Sequence, residues 1–110
     1  MLFINVNDFY DQASSCTHLT REQELQCYRE MRSGNATAKE QLMRSYVPQV
    51  AAHLKRWPAK HVSLNLIYHC YQALDKSIDS FDFSQSSEKF SHRLDWLLRQ
   101  VIVRHLAEHR

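Results

Sequence analysis

The sequence has little of what turns and loops require: one glycine, Gly34, and two prolines, Pro48 and Pro58, in 110 residues. That scarcity argues against a turn-rich β-sandwich, a phosphate-cradling glycine loop and a disordered linker. Three cysteines, Cys16, Cys27 and Cys70, are odd in number and form no pairable framework, which suits a reducing cytoplasm. No apolar run approaches the roughly 20 residues that span a bilayer, so no membrane partner is expected. The opening residues, Met1 to Asp8, lack both a positive n-region and a full apolar h-region, so no signal peptide is expected and the chain reads as cytoplasmic. Net charge is scarce too. Fourteen Lys and Arg against twelve Asp and Glu leave +2, too little to mark a nucleic-acid binder by itself.

What is present is a 44% hydrophobic, 24% charged composition, ordinary for a folded protein and enough for one domain. Helices joined by short loops are the economical reading, so the expected class is an all-α compact bundle. Residues 1–18 form a variable N-terminal segment in which Phe3 to Tyr10 allow a short helix, followed by a polar stretch, Asp11 to Thr17. Thr20-Arg21-Glu22-Gln23 fits a capping box, in which hydroxyl and amide satisfy orphan backbone donors. Leu25, Tyr28 and Met31 follow, and Gly34 sits where a left-handed stop is cheapest, so a helix over about 21–33 is predicted. A second box, Thr37-Ala38-Lys39-Glu40, is expected to start the next helix. Its apolar stripe runs Leu42, Met43, Tyr46, Val47, Val50, Leu54 and Trp57. Pro48 interrupts that stripe, which predicts a break near Ser45 to Val47, a new first turn at Pro48 and an end at Pro58.

Ser63 can cap a further helix carrying Leu66, Ile67, Cys70, Tyr71, Leu74, Ile78 and Phe81. Asp82 to Ser87 read as a polar loop. Ser91 is then expected to open a last helix with Leu94, Leu97, Leu98, Val101, Ile102 and Leu106. Charge is uneven along the chain. Residues 37–62 hold Lys39, Arg44, Lys55, Arg56 and Lys60 against Glu40 alone, and Asp75, Asp79 and Asp82 form an acidic stretch. The final segment carries Lys89, Arg93, Arg99, Arg104 and Arg110, with His92, His105 and His109 able to add charge as pH falls. A basic helix beside a surface tryptophan is a candidate nucleic-acid surface, although such runs are also ordinary solvated faces.

The order of these features resembles the primary-type bacterial sigma factors of RNA polymerase, over regions 1.2 through 2.4. The family's opening Leu-Thr, acidic helix and Gly-Asp fall on Leu19-Thr20-Arg21-Glu22-Gln23-Glu24 and Gly34-Asn35. A Leu-rich helix ending in basic residues and an aromatic falls on Val47 to Val50 and Lys55-Arg56-Trp57. The core-binding motif Asp-Leu-Ile-Gln-Glu-Gly falls on Asn65-Leu66-Ile67-Tyr68-His69-Cys70, and Phe-Asp-Pro on Phe81-Asp82-Phe83. The promoter-melting motif Phe-Ser-Thr-Tyr-Ala-Thr-Trp-Trp-Ile-Arg-Gln falls on Phe90-Ser91-His92-Arg93-Leu94-Asp95-Trp96-Leu97-Leu98-Arg99-Gln100. The match covers about residues 19–107 with one extra residue, between Asp82 and Phe90.

The resemblance implies a bundle like sigma region 2 that docks on the β′ clamp helices of core RNA polymerase and reads the −10 promoter element as single strand. It places polymerase or anti-sigma contacts on Asn65, Leu66, Ile67, Tyr68, His69 and Gln72. Promoter DNA falls to Lys89, Phe90, Arg93, Trp96, Arg99, Gln100 and Arg104, with Trp96 stacking at the fork. Nothing in the match corresponds to a −35-reading region, so a second sigma-like subunit, an activator or an extended −10-like site is expected to be needed. The departures point another way: Asn65 and His69 replace carboxylates, which weakens association with a basic partner. Arg93 stands for a tyrosine, Leu97 for a second tryptophan and Asp95 for a threonine, where its charge repels phosphates. These changes leave open a sigma mimic that occupies an anti-sigma factor or competes for polymerase without melting DNA.

Plainer roles stand beside these. Trp96 suits the core as readily as a stacking platform, Phe90 suits an anchor for the loop, and Leu66 and Ile67 can be internal. Yet Leu64, Leu66, Ile67, Cys70, Tyr71 and Leu74 offer more apolar surface than one stripe buries, so part is expected to meet a partner. His105 and His109, four apart, lack a third ligand at convincing spacing, and no nucleophile motif is present. Neither a metal, a cofactor nor an enzyme is expected.

Overall fold

Asn5 is extended and its side chain accepts from the Asp8 N–H, so the first helix, α1, begins beyond it and runs Val6–Ser15. In this computed structural model, which describes residues 1–85 and 88–108, four further α-helices follow. They are α2 (Arg21–Arg32), α3 (Ala36–Leu54), α4 (Leu64–Ser80) and α5 (Phe90–Glu108), with one 3₁₀ turn at Ala59–His61. The described residues contain no strand, and the fold is an all-α bundle. Ser86 and Ser87 of the predicted loop, and His109 and Arg110 of the basic end, lie outside the described residues.

The capping box at α2 is complete: Thr20 Oγ1 accepts from the Gln23 N–H at 3.1 Å, and Gln23 Oε1 accepts from the Thr20 N–H at 2.9 Å. Gly34 ends the turn at φ +102°, where a side chain would be strained. Ser63 caps α4 by accepting from the Leu66 N–H. Three boundaries differ from expectation. Residues 11–15 are helical, because Asn5 starts α1 later and Gln12 ties it back to the Leu2 carbonyl. Asn35, not Thr37, caps α3, since its Oδ1 accepts from both the Thr37 and Ala38 N–H groups. The last helix opens at Phe90 rather than after Ser91, with the Lys89 carbonyl accepting from His92 and Arg93.

The largest correction is at Pro48. No break occurs; α3 continues through it to Leu54. Proline there removes the bond to the Arg44 carbonyl and crowds it, at a cost of about 3 kcal/mol in an isolated helix. Tertiary packing outweighs that cost, because α3 is the central element and packs against α1, α2, α4 and α5. Ala38, Leu42, Met43, Val47, Val50, Ala51 and Leu54 are all buried along it, more than one face of a surface helix holds. Ser45, also buried, turns its hydroxyl onto the Leu42 carbonyl at 2.7 Å.

Aromatic and charged contacts fasten the α4–α5 hairpin to this centre. Phe81 meets both Phe83 and Phe90 edge to face, Phe83 and Phe90 pack at a tilt, and the Phe90 ring centre lies 4.7 Å from that of Tyr46 on α3. The Arg21 guanidinium donates to the Phe83 carbonyl at 2.7 Å, tying the loop to the start of α2. Lys39 bridges Asp75 and Asp79, so two members of the acidic stretch join α4 to α3. Burial works against the Lys39 charge, but the two carboxylates outweigh it and raise its pKa. Among the described residues no helix is long and apolar enough to cross a membrane.

Candidate nucleic-acid interface

α5 stands as a ridge between two grooves. Its core side, Leu94, Leu98 and Ile102, is fully or almost fully buried against the bundle. A helix places residues three, four and seven apart on one face, so Trp96, Arg99, Gln100 and Val103 share the opposite one. Trp96 is 65% exposed and Val103 51%, which takes Trp96 out of the core. An exposed indole among basic and amide side chains is a surface on which a base can stack while phosphates are held beside it.

On one flank, α4 and α5 enclose a groove of about 600 Å³. It is lined by His69, Gln72 and Lys76 from α4 and by Trp96, Gln100 and Arg104 from α5. Residues assigned from sequence to a protein partner and to DNA therefore meet in one depression. At its floor the Nδ1 atoms of His69 and His105 lie 3.0 Å apart with the rings edge to face, so at this contact one ring donates and the other accepts. His109, the other half of the sequence-level pair with His105, lies outside the described residues. Among the described residues no group of three His, Cys, Asp or Glu side chains is placed to hold a metal ion.

On the other flank, α3 and α5 form a smaller groove of about 240 Å³ lined by His53, Arg56, Trp57, Arg99 and Ile102. Asp95, one helical turn before Arg99 on α5, is engaged within the fold. His53 Nε2 is 2.5 Å from Asp95 Oδ1, and Gln49 Nε2 donates to the same oxygen at 2.8 Å and to the Ser91 carbonyl at 2.7 Å. The His53 hydrogen bond holds the Asp95 carboxyl below its ordinary range against the opposing effect of burial, with Gln49 and the charges of His53 and Arg56 adding to the shift. Asp95 is thus kept ionised, with its Oδ1 held by partners on α3.

The remaining assigned residues divide sharply. Lys89 and Arg93 are exposed at the start of α5, and Arg93 lies 3.7 Å from Glu88. Phe90, at 3% exposure, is the aromatic anchor of the loop and presents no stacking face to a strand. Leu66 and Ile67 are fully buried, because α4 turns both toward the bundle interior. Neither offers surface to a partner. Tyr68 is engaged internally: its hydroxyl accepts from the Phe3 N–H at 2.8 Å and donates to the Phe3 carbonyl at 3.2 Å. Asn65 and Gln72 are exposed and His69 is half-buried.

Sequence reasoning left Gln49, His53, Arg56 and Trp57 out of the site. The basic pair running into a tryptophan at the end of α3 was the available signal, but only folding brings it beside Arg99. A depression of about 590 Å³ between α1, α2 and α3 contains none of the assigned residues. No known protein-family model matches this chain.

Proposed function

We propose that this chain is a sigma-factor-like transcription initiation protein that acts in the cytoplasm. It binds core RNA polymerase through exposed α4 residues and −10-type promoter DNA through α5. The observation that carries the reading is the exposure of Trp96 on a face shared with Arg99 and Gln100, beside Arg104. Opening a duplex costs a few kcal/mol per base, and stacking on an aromatic side chain beside cationic groups offsets it. In this reading Trp96 stacks on an unpaired base at the fork, Gln100 meets base edges, and Arg99 and Arg104 hold backbone phosphates. The polymerase contact rests on Asn65, His69 and Gln72, with Leu66 and Ile67 shaping α4 from inside.

A sigma mimic is the second reading, favoured by the composition of the α4–α5 groove. Its α4 wall is His69, Gln72 and Lys76, with no carboxylate to meet a basic clamp helix, and Leu97 lines it where the family has a second tryptophan. Such a groove accepts a protein segment without any DNA.

Fluorescence on a forked −10 fragment tests the first reading, with Trp57 replaced by Phe so that Trp96 alone reports. Quenching that weakens with salt is expected. Absence of both quenching and salt-dependent binding, with retention on an anti-sigma factor, would establish the mimic instead. Retention on neither purified core polymerase nor an anti-sigma factor would remove both.

A further inference from the structure

The α3–α5 groove is a second basic surface on the ridge that carries Trp96, and the contacts proposed above do not use its α3 wall. Arg56, just beyond α3, and Arg99, on α5, both line it, together with the half-buried ring of Trp57. Among the described residues neither guanidinium takes part in a hydrogen bond or ion pair. Asp95, whose ionisation Arg56 favours, already accepts from His53 and Gln49. Two cationic forks therefore face a solvent-open depression while the neighbouring carboxylate is occupied by α3. Arginine's planar fork matches phosphate oxygens in pairs.

Size narrows the ligand. At about 240 Å³ the groove is smaller than the roughly 300–1,000 Å³ that encloses a drug-sized molecule. It suits a phosphodiester entering from solvent. Arg99 lies three residues from Trp96, about 4.5 Å along the helix axis, which a single nucleotide step can bridge. A strand with one base on Trp96 can thus lay the adjoining phosphate over Arg99 toward Arg56.

We infer that the α3–α5 groove is a phosphate subsite for single-stranded DNA, in which Arg56 and Arg99 grip one backbone phosphate next to the base on Trp96 and Trp57 walls the sugar. The inference rests on the nucleic-acid reading above and extends the interface from α5 onto α3. It assigns contact roles to Arg56 and Trp57 and gives Asp95 a positioning role, keeping His53 and Gln49 beside the groove.

Anisotropy of a short fluorescein-labelled oligo-deoxythymidine, titrated with the full chain between roughly 50 and 200 mM salt, tests it. Arg56→Gln, at an exposed position, is expected to bind about tenfold more weakly, the loss of one charge-assisted contact. Its plot of log affinity against log salt should be shallower by about 0.7, one phosphate's worth on a single strand. Lys60→Gln, in the neighbouring 3₁₀ turn but outside the groove, should leave the slope unchanged; circular dichroism confirms that both variants fold. If Arg56→Gln keeps the wild-type affinity and slope while Trp96→Ala loses binding, the subsite is wrong and the nucleic-acid reading stands. If Lys60→Gln lowers the slope as much as Arg56→Gln does, the attraction is diffuse and the subsite is again wrong. If the unaltered chain fails to bind the strand at any salt, both fall together.

Discussion

His53 on α3 and Asp95 on α5 are joined by a 2.5 Å contact across the bundle, with the histidine nearly buried and the aspartate half exposed. Asp95 sits on the helix proposed to face DNA, where a carboxylate is unwelcome, and one of its oxygens is held by this pairing. The consequence is visible in pH. The folded pKa of Asp95 lies below its ordinary 3.8, the His53 hydrogen bond being the chief cause. A lowered carboxylate stabilises the fold above the unfolded value, and that contribution disappears as pH falls through the folded one. Asp95→Asn should therefore be less stable than the parent near neutrality, by about 1 kcal/mol or less given its exposure. The gap should close below roughly pH 4. Urea melts across that range measure it, and a gap constant with pH would mean that the pairing contributes no linkage.

Trp96→Ala separates folding from binding. A 65% exposed indole contributes little to the core, so stability should change by no more than about 0.5 kcal/mol. Binding to a forked −10 fragment should be lost under the same conditions. A large drop in thermal stability would show that the ring is held by the bundle rather than offered to a base.

Pro48→Ala restores an N–H opposite the Arg44 carbonyl inside α3. The gain in helix bonding exceeds the roughly 0.4–1 kcal/mol of unfolded-chain entropy that proline removes. A net stabilisation of about 1–2 kcal/mol is expected in chemical denaturation, with no change in helical content. A loss of stability would indicate that the pyrrolidine ring itself is needed by the packing around α3.

Asn65→Asp tests the proposed polymerase contact on α4. Asn65 is exposed in the first turn of α4, where a carboxylate also favours the helix dipole by about 0.3–1 kcal/mol. Association with core polymerase should become faster and more sensitive to salt, measured by surface-attached kinetics. An unchanged rate at low salt would take α4 out of that interface. Leu66→Ala is a poor substitute, because truncating a fully buried leucine costs about 2–5 kcal/mol and would unfold the site along with any contact.

The local signals in the chain were readable wherever one short stretch decided the outcome. The Thr20–Gln23 box, the left-handed stop at Gly34, the Ser63 cap and the apolar stripe of the last helix each depend on neighbours within a few residues, and the structure contains all of them. Pro48 shows where that logic ends. Its local cost is real, but the benefit of continuing the helix comes from four other elements packed around α3, which no window of sequence displays. Thr37 failed as a cap for a smaller reason. Asn35 stood two residues earlier with a side chain able to satisfy two N–H groups at once.

Composition and periodicity alone thus determined an all-α chain and the starts of α2 and α4, because capping and burial patterns are short-range. They could not say which individual aromatic and apolar side chains stay outside the core. Trp96 and Phe90 sit six residues apart on one helix, and Leu66 and Trp96 belonged to equally plausible contact sets. Only the packing of α4 and α5 onto α3 left Trp96 exposed while burying Phe90, Leu66 and Ile67. The same packing set Arg56 beside Arg99, forty-three residues away in the chain, and turned Asp95 toward His53. Surface chemistry of this kind is a property of neighbours in space, and it exists only once the hydrophobic faces have chosen one another.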